Sequence, residues 1–301
     1  MSAKLESKAS YESTFLAFLR RQYTRPKPLP AGIKLTNQVA IVTGSNVGLG
    51  LEASRQLLEL GLSRLIMGVR SQTKGDAAAT KLRTAFPSST ITVWIVDMES
   101  YDSIRAFAEQ CVSLPRIDIT ILNAGLLNKW FTVVPATNHE NTLQVNYLST
   151  ALLAMLLLPT IKAKRVAGTA RPPVLTLVGS DLAYDAKIET SGSILQQFVN
   201  PKAFDRVPWY AKTKLFLIFF VSRLAELVNP DDVIINVSNP GMTKGTAFLS
   251  KFPYVVVKFF EVLQFLVGRS AAVGASNYLD AVVVQGKESH GGFTSEWSIK
   301  P

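Results

Sequence analysis

The chain has 301 residues, with 32 Lys and Arg against 22 Asp and Glu, for a formal net charge of +10. Charged residues make up 18% and hydrophobic residues 48%, a composition that builds a core and excludes a disordered chain. The single cysteine, Cys111, excludes a disulfide scaffold and a thiolate zinc site, and two histidines exclude a His-rich metal centre.

The first 36 residues read as an appendage. Its opening residues are polar and lack the apolar stretch of a secretory signal. Residues 11–23 carry Phe15, Leu16, Phe18 and Leu19 at helical spacing, followed by Arg20 and Arg21. Pro26, Pro28 and Pro30 must end that helix. Docking on the main domain, on a membrane or on a partner are all open to it.

From Gln38 onward short apolar runs alternate with helical patterns. Strands are expected at Val39–Thr43, Arg64–Val69, 91–96, 117–122, 174–179 and 233–237. Helices are expected at 49–60, 72–86, 101–112, Asn141–Ala163, 207–227 and Ala271–Val284. Strands separated by helices imply one doubly wound α/β domain of Rossmann type over residues 37–301, with a mainly parallel sheet and helices on both faces. Ligands then bind beyond the carboxyl ends of the strands. No run reaches the ~18 uninterrupted apolar residues of a spanning helix. In 252–267, Lys258, Glu261 and Gln264 form one polar stripe, with Phe259, Phe260, Leu263 and Leu266 away from it. That helix is expected over the protein's own cleft, an interfacial membrane helix being the alternative.

The first strand runs into Thr43-Gly44-Ser45-Asn46-Val47-Gly48-Leu49-Gly50, and a helix follows. Glycines let backbone N–H groups approach a pyrophosphate at a helix N-terminus, where the dipole favours anions. The spacing G-x-x-x-G-x-G resembles the short-chain dehydrogenase/reductase family, in particular its retinol-dehydrogenase-like and fungal secondary-metabolism branches. Further motifs carry the resemblance across the chain. Asp97, followed by Met98, closes the third strand; Asn123-Ala124-Gly125 closes the fourth; Asn146 lies in the next helix. Ser180 ends the fifth strand, Tyr210-Ala211-Lys212-Thr213-Lys214 matches Y-x-x-x-K, and Pro240-Gly241 follows the sixth.

Tyr210 and Lys214 are four apart on a helix and share a face. A nearby ammonium lowers a phenol's pKa from its reference value near ~10, so Tyr210 is expected to serve as general acid for a ketone or base for an alcohol. Ser180 is placed to hydrogen-bond the reacting oxygen. The resemblance implies that Lys214 binds the nicotinamide ribose and that Asn146 holds a water relaying protons to it. It also implies cofactor contacts at Gly44, Ser45, Asn46, Gly48, Leu49, Gly50, Asp97, Met98, Asn123, Ala124, Gly125, Tyr210, Lys214, Pro240, Gly241 and Thr243. A later Thr frequent in the family is Gly245 here, and Ser180 follows Gly179 in place of a Ser-Ser pair.

The second strand ends Met67-Gly68-Val69-Arg70-Ser71, without the acidic residue that selects NAD. Arg70 can pair with a 2′-phosphate, which points to NADP(H). The long segment 181–209 contains Tyr184, Phe198, Phe204 and Trp209 and is expected to line or cover a substrate site, with 246–268 a second covering segment. An apolar pocket suits a lipophilic ketone, aldehyde or secondary alcohol of retinoid, steroid or secondary-metabolite type, and hence a carbonyl reductase. The alternatives are a non-redox isomerase, cyclase or dehydratase on the same scaffold, and a non-catalytic cofactor-binding protein. The basic clusters at 20–27 and 162–171 lack interleaved aromatics, so nucleic acid is not an expected partner. A homodimer and peripheral membrane contact stay open. The expected location is cytoplasmic, or peripheral on an intracellular membrane, and not secreted.

Overall fold

β1 (Val39–Thr43) alternates its side chains between two cores. Val39 and Ile41 join one fully buried cluster, while Ala40 and Val42 join the other. That double burial is why the central strands are near-continuous apolar runs. The structure is a computed structural model and describes residues 7–169, 171–244 and 267–301. The elements that follow are α3 (Gly48–Glu59), β2 (Arg64–Val69), α4 (Gln72–Ala85), β3 (Thr90–Ile95), α5 (Tyr101–Cys111) and β4 (Ile119–Leu122). A two-residue hairpin, β5 (Val133–Val134) and β6 (His139–Glu140), leads into α6 (Asn141–Ala163). Then come β7 (Val174–Val178), three 3-10 turns, α7 (Arg206–Ala225), β8 (Ile234–Asn239), α8 (Ala271–Val284), β9 (Phe293–Ser295) and β10 (Ser298–Lys300).

The main sheet has eight strands in the order β3-β2-β1-β4-β7-β8-β9-β10. Every neighbour pair in it is parallel except β9–β10. The chain reverses its winding between β1 and β4, and the crevice beyond their carboxyl ends is where such sheets bind ligands. One face is covered by α5, α6 and α7 through Phe107, Leu153, Leu157, Leu217 and Val221. The other is covered by α3, α4 and α8 through Ala53, Leu57, Ala79, Leu82 and Tyr278. Among the described residues α6 alone has the length and apolar composition to cross a membrane, although polar Asn141, Gln144 and Asn146 interrupt its run. Its Leu153, Ala154, Leu157 and Ile161 are buried in the core. Segment 245–266, with most of the expected amphipathic helix and Gly245, lies outside the described residues.

Two parts depart from the sequence expectation. The β9–β10 hairpin turns on Glu296 and Trp297, both left-handed at φ 49° and 55°. Such a turn ordinarily takes Asn and Gly, so nothing in Glu-Trp announces it. The N-terminal helix is two helices, α1 (Ala9–Glu12) and α2 (Phe15–Tyr23), because Thr14 caps the second by accepting a hydrogen bond from Ala17 N at 3.1 Å. α2 docks on the main domain with Ala17, Arg21 and Gln22 buried, while Phe15 and Leu16 are 70% and 67% exposed.

Candidate active site

The glycine turn is held open for an anion. Gly44 and Gly48 are left-handed at φ 63° and 59°, which favours glycine. A Cβ on Gly50 would lie 2.5 Å from both Asn123 Nδ2 and Gly44 O. Asn123 Nδ2 donates to Thr43 O and Gly44 O at 3.0 and 3.3 Å, and Thr43 Oγ1 accepts from Ala124 N at 3.0 Å. The end of β4 thus fixes the turn. The first turn of α3 has no side-chain cap, so its N–H groups point out unsatisfied by the chain itself. Ser45 Oγ is fully buried in the same turn without a hydrogen-bond partner. Free helix N–H groups and a stranded hydroxyl fit a phosphate-bearing cofactor.

The expected catalytic side chains converge beyond the ends of β4 and β7. Asn146 sits in a π-turn of α6, Gln144–Ser149, and such bulges recur where a helix must re-aim a side chain. Its Oδ1 accepts from Leu126 N and its Nδ2 donates to Leu126 O, both at 2.8 Å, and Nδ2 also approaches Thr213 Oγ1 at 3.4 Å. Ser180 starts the first 3-10 turn, accepting from Leu182 N at 3.2 Å, and is hydrogen-bonded to the Tyr210 phenol. Lys214, one turn beyond Tyr210, donates to Val178 O at 2.7 Å with Nζ 5.6 Å from the Tyr210 ring centre. A Cβ on Gly125 would sit 3.2 Å from Asn146 Oδ1 and 3.7 Å from Lys214 Nζ, so the bare glycine lies between these two groups.

The electrostatics reverse one sequence expectation. Tyr210 is pushed up from the ordinary phenol value, not down: burial outweighs the hydrogen bond from Ser180, and the Asp181 carboxylate adds to the rise. The Lys214 ammonium is turned to Val178 O. Burial pushes Lys214 itself down to about 8. Tyr210 is therefore a neutral, proton-holding phenol at pH 7, and Lys214 still carries its proton there.

The remaining expected contacts ring this centre. Asp97 Oδ1 accepts from Glu99 N at 3.0 Å, and Met98 O accepts from Ser149 Oγ at 2.5 Å, tying β3's end to α6. Arg70 is two-thirds exposed and pairs with Glu99 at 2.8 Å. Pro240 and Gly241 follow β8, and Thr243 Oγ1 donates to Gly241 O at 3.1 Å. A Cβ on Gly274 would touch both Thr243 Oγ1 and Leu49 Cδ2 at 2.8 Å, so the turn after β8 lies beside the helix of the glycine turn. Of the aromatics in 181–209, Phe198, Phe204 and Trp209 pack edge to face, with Phe131 against Phe204 and Trp209. Tyr184 is diverted from that wall: it packs on Phe293 and lies under the Arg21 guanidinium. Sequence reasoning passed over Gln22, Asp181 and Arg269, all buried beside these loops, because isolated polar residues carry no motif.

Residues 38–170 match the family model described as short chain dehydrogenase. Over 100% of its length the chain is 60% identical to the short chain dehydrogenase virL of Hypocrea virens, covering 88% of that protein. The chain belongs to the short-chain dehydrogenase/reductase family. This dehydrogenase/reductase is also 47% identical to the short chain dehydrogenase opdN of Penicillium oxalicum, with all of both chains covered. An NADPH-bound short chain oxidoreductase of Pseudomonas aeruginosa shares its fold at TM-score 0.64 and 20% identity, over 86% of this chain and 95% of that one. Salutaridine reductase of Papaver somniferum does so at TM-score 0.64 and 17% identity, over 85% and 99%. The family membership makes the chain an oxidoreductase that binds a nicotinamide cofactor.

Proposed function

We propose that this dehydrogenase/reductase is an NADP(H)-dependent carbonyl reductase that acts on a lipophilic ketone or aldehyde of secondary metabolism. The observation that carries the reading is the Tyr210–Ser180 hydrogen bond, with Lys214 one helical turn away, beside a glycine turn suited to phosphate. The bound nicotinamide would supply or accept the hydride. Ser180 Oγ orients the substrate oxygen, and Tyr210 Oη gives it a proton as negative charge develops there. Lys214 steadies the site as an ammonium and is assigned to the ribose, with Asn146 on the proton path behind it.

Arg70 supports NADP(H) over NAD(H). Its partner Glu99 is held only through an exposed pair, worth about 0–1 kcal/mol, so a 2′-phosphate can replace the carboxylate. The buried Phe198–Trp209 cluster beside Tyr210, with Phe204 packed on it, gives the site an apolar surrounding, in keeping with a lipophilic substrate. Fluorescence titration with NADPH and NADH, followed by turnover on a panel of lipophilic ketones, tests the reading. Tight NADPH binding with consumption of NADPH is the expected result. Product formed with the cofactor unchanged would instead make the chain an isomerase or dehydratase.

A further inference from the structure

Helix α2 is built against its own polarity. It turns Arg21 and Gln22 inward, each 5% exposed, and leaves Phe15 and Leu16 in solvent. Ala17 is buried and Phe18 and Leu19 are half-buried, so polar contacts share in seating this helix. Gln22's hydrogen bonds go to the turn after β8, while Arg21 bonds Glu12 of α1 and faces Asp181 of the loop after β7.

Gln22 reads the backbone of the turn after β8 as a neighbouring strand would. Its Oε1 accepts from Met242 N, and its Nε2 donates to Met242 O and to Val267 O, all at 3.0 Å. The same Oε1 would lie 2.7 Å from a Cβ on Gly241, which is left-handed at φ 72°. Behind it, Arg269 N donates to Met242 O at 2.9 Å, Lys244 N donates to Arg269 O at 2.8 Å, and the Arg269 guanidinium reaches Pro240 O and Arg21 O.

Arg21 works on the neighbouring loop. Its guanidinium donates to Glu12 O and Oε2 at 2.6 and 2.8 Å, faces Asp181 Oδ2 at 3.6 Å, and lies 5.1 Å from the Tyr184 ring centre. Asp181 directly follows Ser180. Burial already raises the Asp181 carboxyl, so removing this cation would leave it to take up a proton or to shift, one residue from the hydroxyl that orients the substrate.

We propose that Gln22 and Arg21 are positioning residues of the active site, Gln22 setting the Pro240–Thr243 turn for the nicotinamide end of the cofactor and Arg21 setting Ser180 through Asp181. The proposal rests on the reading of a nicotinamide cofactor bound beyond the strand ends. It makes the N-terminal segment part of the reaction site and not a separate anchor. The adenine and pyrophosphate end, fixed by Asn123 and the glycine turn, is independent of it.

The test separates the two ends of the cofactor. Gln22→Ala and the unmodified protein are titrated by calorimetry with NADPH or NADH, whichever the unmodified protein binds tighter, and with the matching ligand lacking nicotinamide, 2′-phospho-ADP-ribose or ADP-ribose. The expected result is about tenfold weaker binding of the intact cofactor with less than a twofold change for the truncated one, as follows for lost hydrogen bonds at one end only. Equal weakening of both ligands, or no change in either, overturns the role of Gln22. Arg21→Gln removes the cation beside Asp181 and is expected to lower kcat severalfold at saturating cofactor while cofactor affinity stays within twofold, with Arg21→Lys, which keeps the charge, restoring kcat; unchanged kcat in Arg21→Gln overturns the role of Arg21. If the unmodified protein binds neither dinucleotide, the cofactor reading itself falls and this proposal with it. If it binds one and Gln22→Ala binds both ligands as it does, only the positioning role is lost.

Discussion

The two ends of the cofactor crevice are built differently. The end proposed for the adenine is made of neighbours in sequence and adjacent strands: the glycine turn, the Asn123 amide that bridges it, and Arg70 at the tip of β2. The opposite end gathers Ser180, Tyr210 and the turn after β8, and then borrows side chains from α2, more than 200 residues away in sequence for the Gln22–Met242 pair. Local geometry makes the first end self-sufficient. The second depends on buried polar contacts between distant segments, which stand or fall together.

The sharpest way to break this contrast is at Tyr210. Tyr210→Phe removes the group assigned to protonate the substrate oxygen and is expected to cut turnover by roughly 10²–10⁴-fold, with NADPH affinity unchanged in a fluorescence titration. Full turnover in that variant would falsify the assigned chemistry. At the adenine end, Gly50→Ala puts a Cβ 2.5 Å from the Gly44 carbonyl, and backbone cannot swing aside as a side chain can. A cost of about 1–3 kcal/mol is expected, read as a roughly tenfold to hundredfold loss of both the intact cofactor and its nicotinamide-free fragment. Loss of the intact cofactor alone would show that the two ends are not separable. Arg70→Asp is a smaller change: about tenfold in the NADPH-to-NADH affinity ratio, from one charge-assisted hydrogen bond lost at an exposed site. A ratio that does not move removes Arg70 as the selector.

The subtlest effect is one of pH. Burial pushes Lys214 down to about 8, whereas an unfolded lysine titrates near ~10.4. Below pH 8 the ammonium is present in both states and its burial cost is fully felt. Between pH 8 and about 10 the unfolded chain binds the extra proton, so this lysine's contribution to stability rises with pH. Urea unfolding should show the protein gaining on Lys214→Met across that window, and a constant difference would place the lysine in water.

The contrast also explains what was legible in the residues. The strands, the glycine turn and the Tyr210–Lys214 pair follow from period, punctuation and spacing, because each is decided by residues a few positions apart. Helix α2 was not legible in its docking: Phe15, Leu16, Phe18 and Leu19 leave main domain, membrane and partner all open, and only Met242, Val267 and Asp181 reveal that its buried polar side chains meet the main domain. The β9–β10 hairpin hid for a similar reason. Its left-handed Glu296 and Trp297 are held by distant groups: Trp297 N and Nε1 donate to Asn277 Oδ1 and Ser276 Oγ, and the Arg269 guanidinium lies over the indole. Tyr210's raised pKa needed the depth of its burial, which no spacing encodes.

Glu12 closes on Lys300 at 3.1 Å, and Lys27 donates to Trp297 O at 3.0 Å. The N-terminal helices are thus latched to β10 and the turn before it. During synthesis the glycine turn and β1 to β4 can assemble early, since their partners emerge together. Gln22 of α2 must wait on the ribosome without its partners until Met242 and Val267 have left the tunnel, and the Glu12–Lys300 latch closes last. A nascent chain stalled before residue 242 therefore holds the glycine turn without the loop that Gln22 meets.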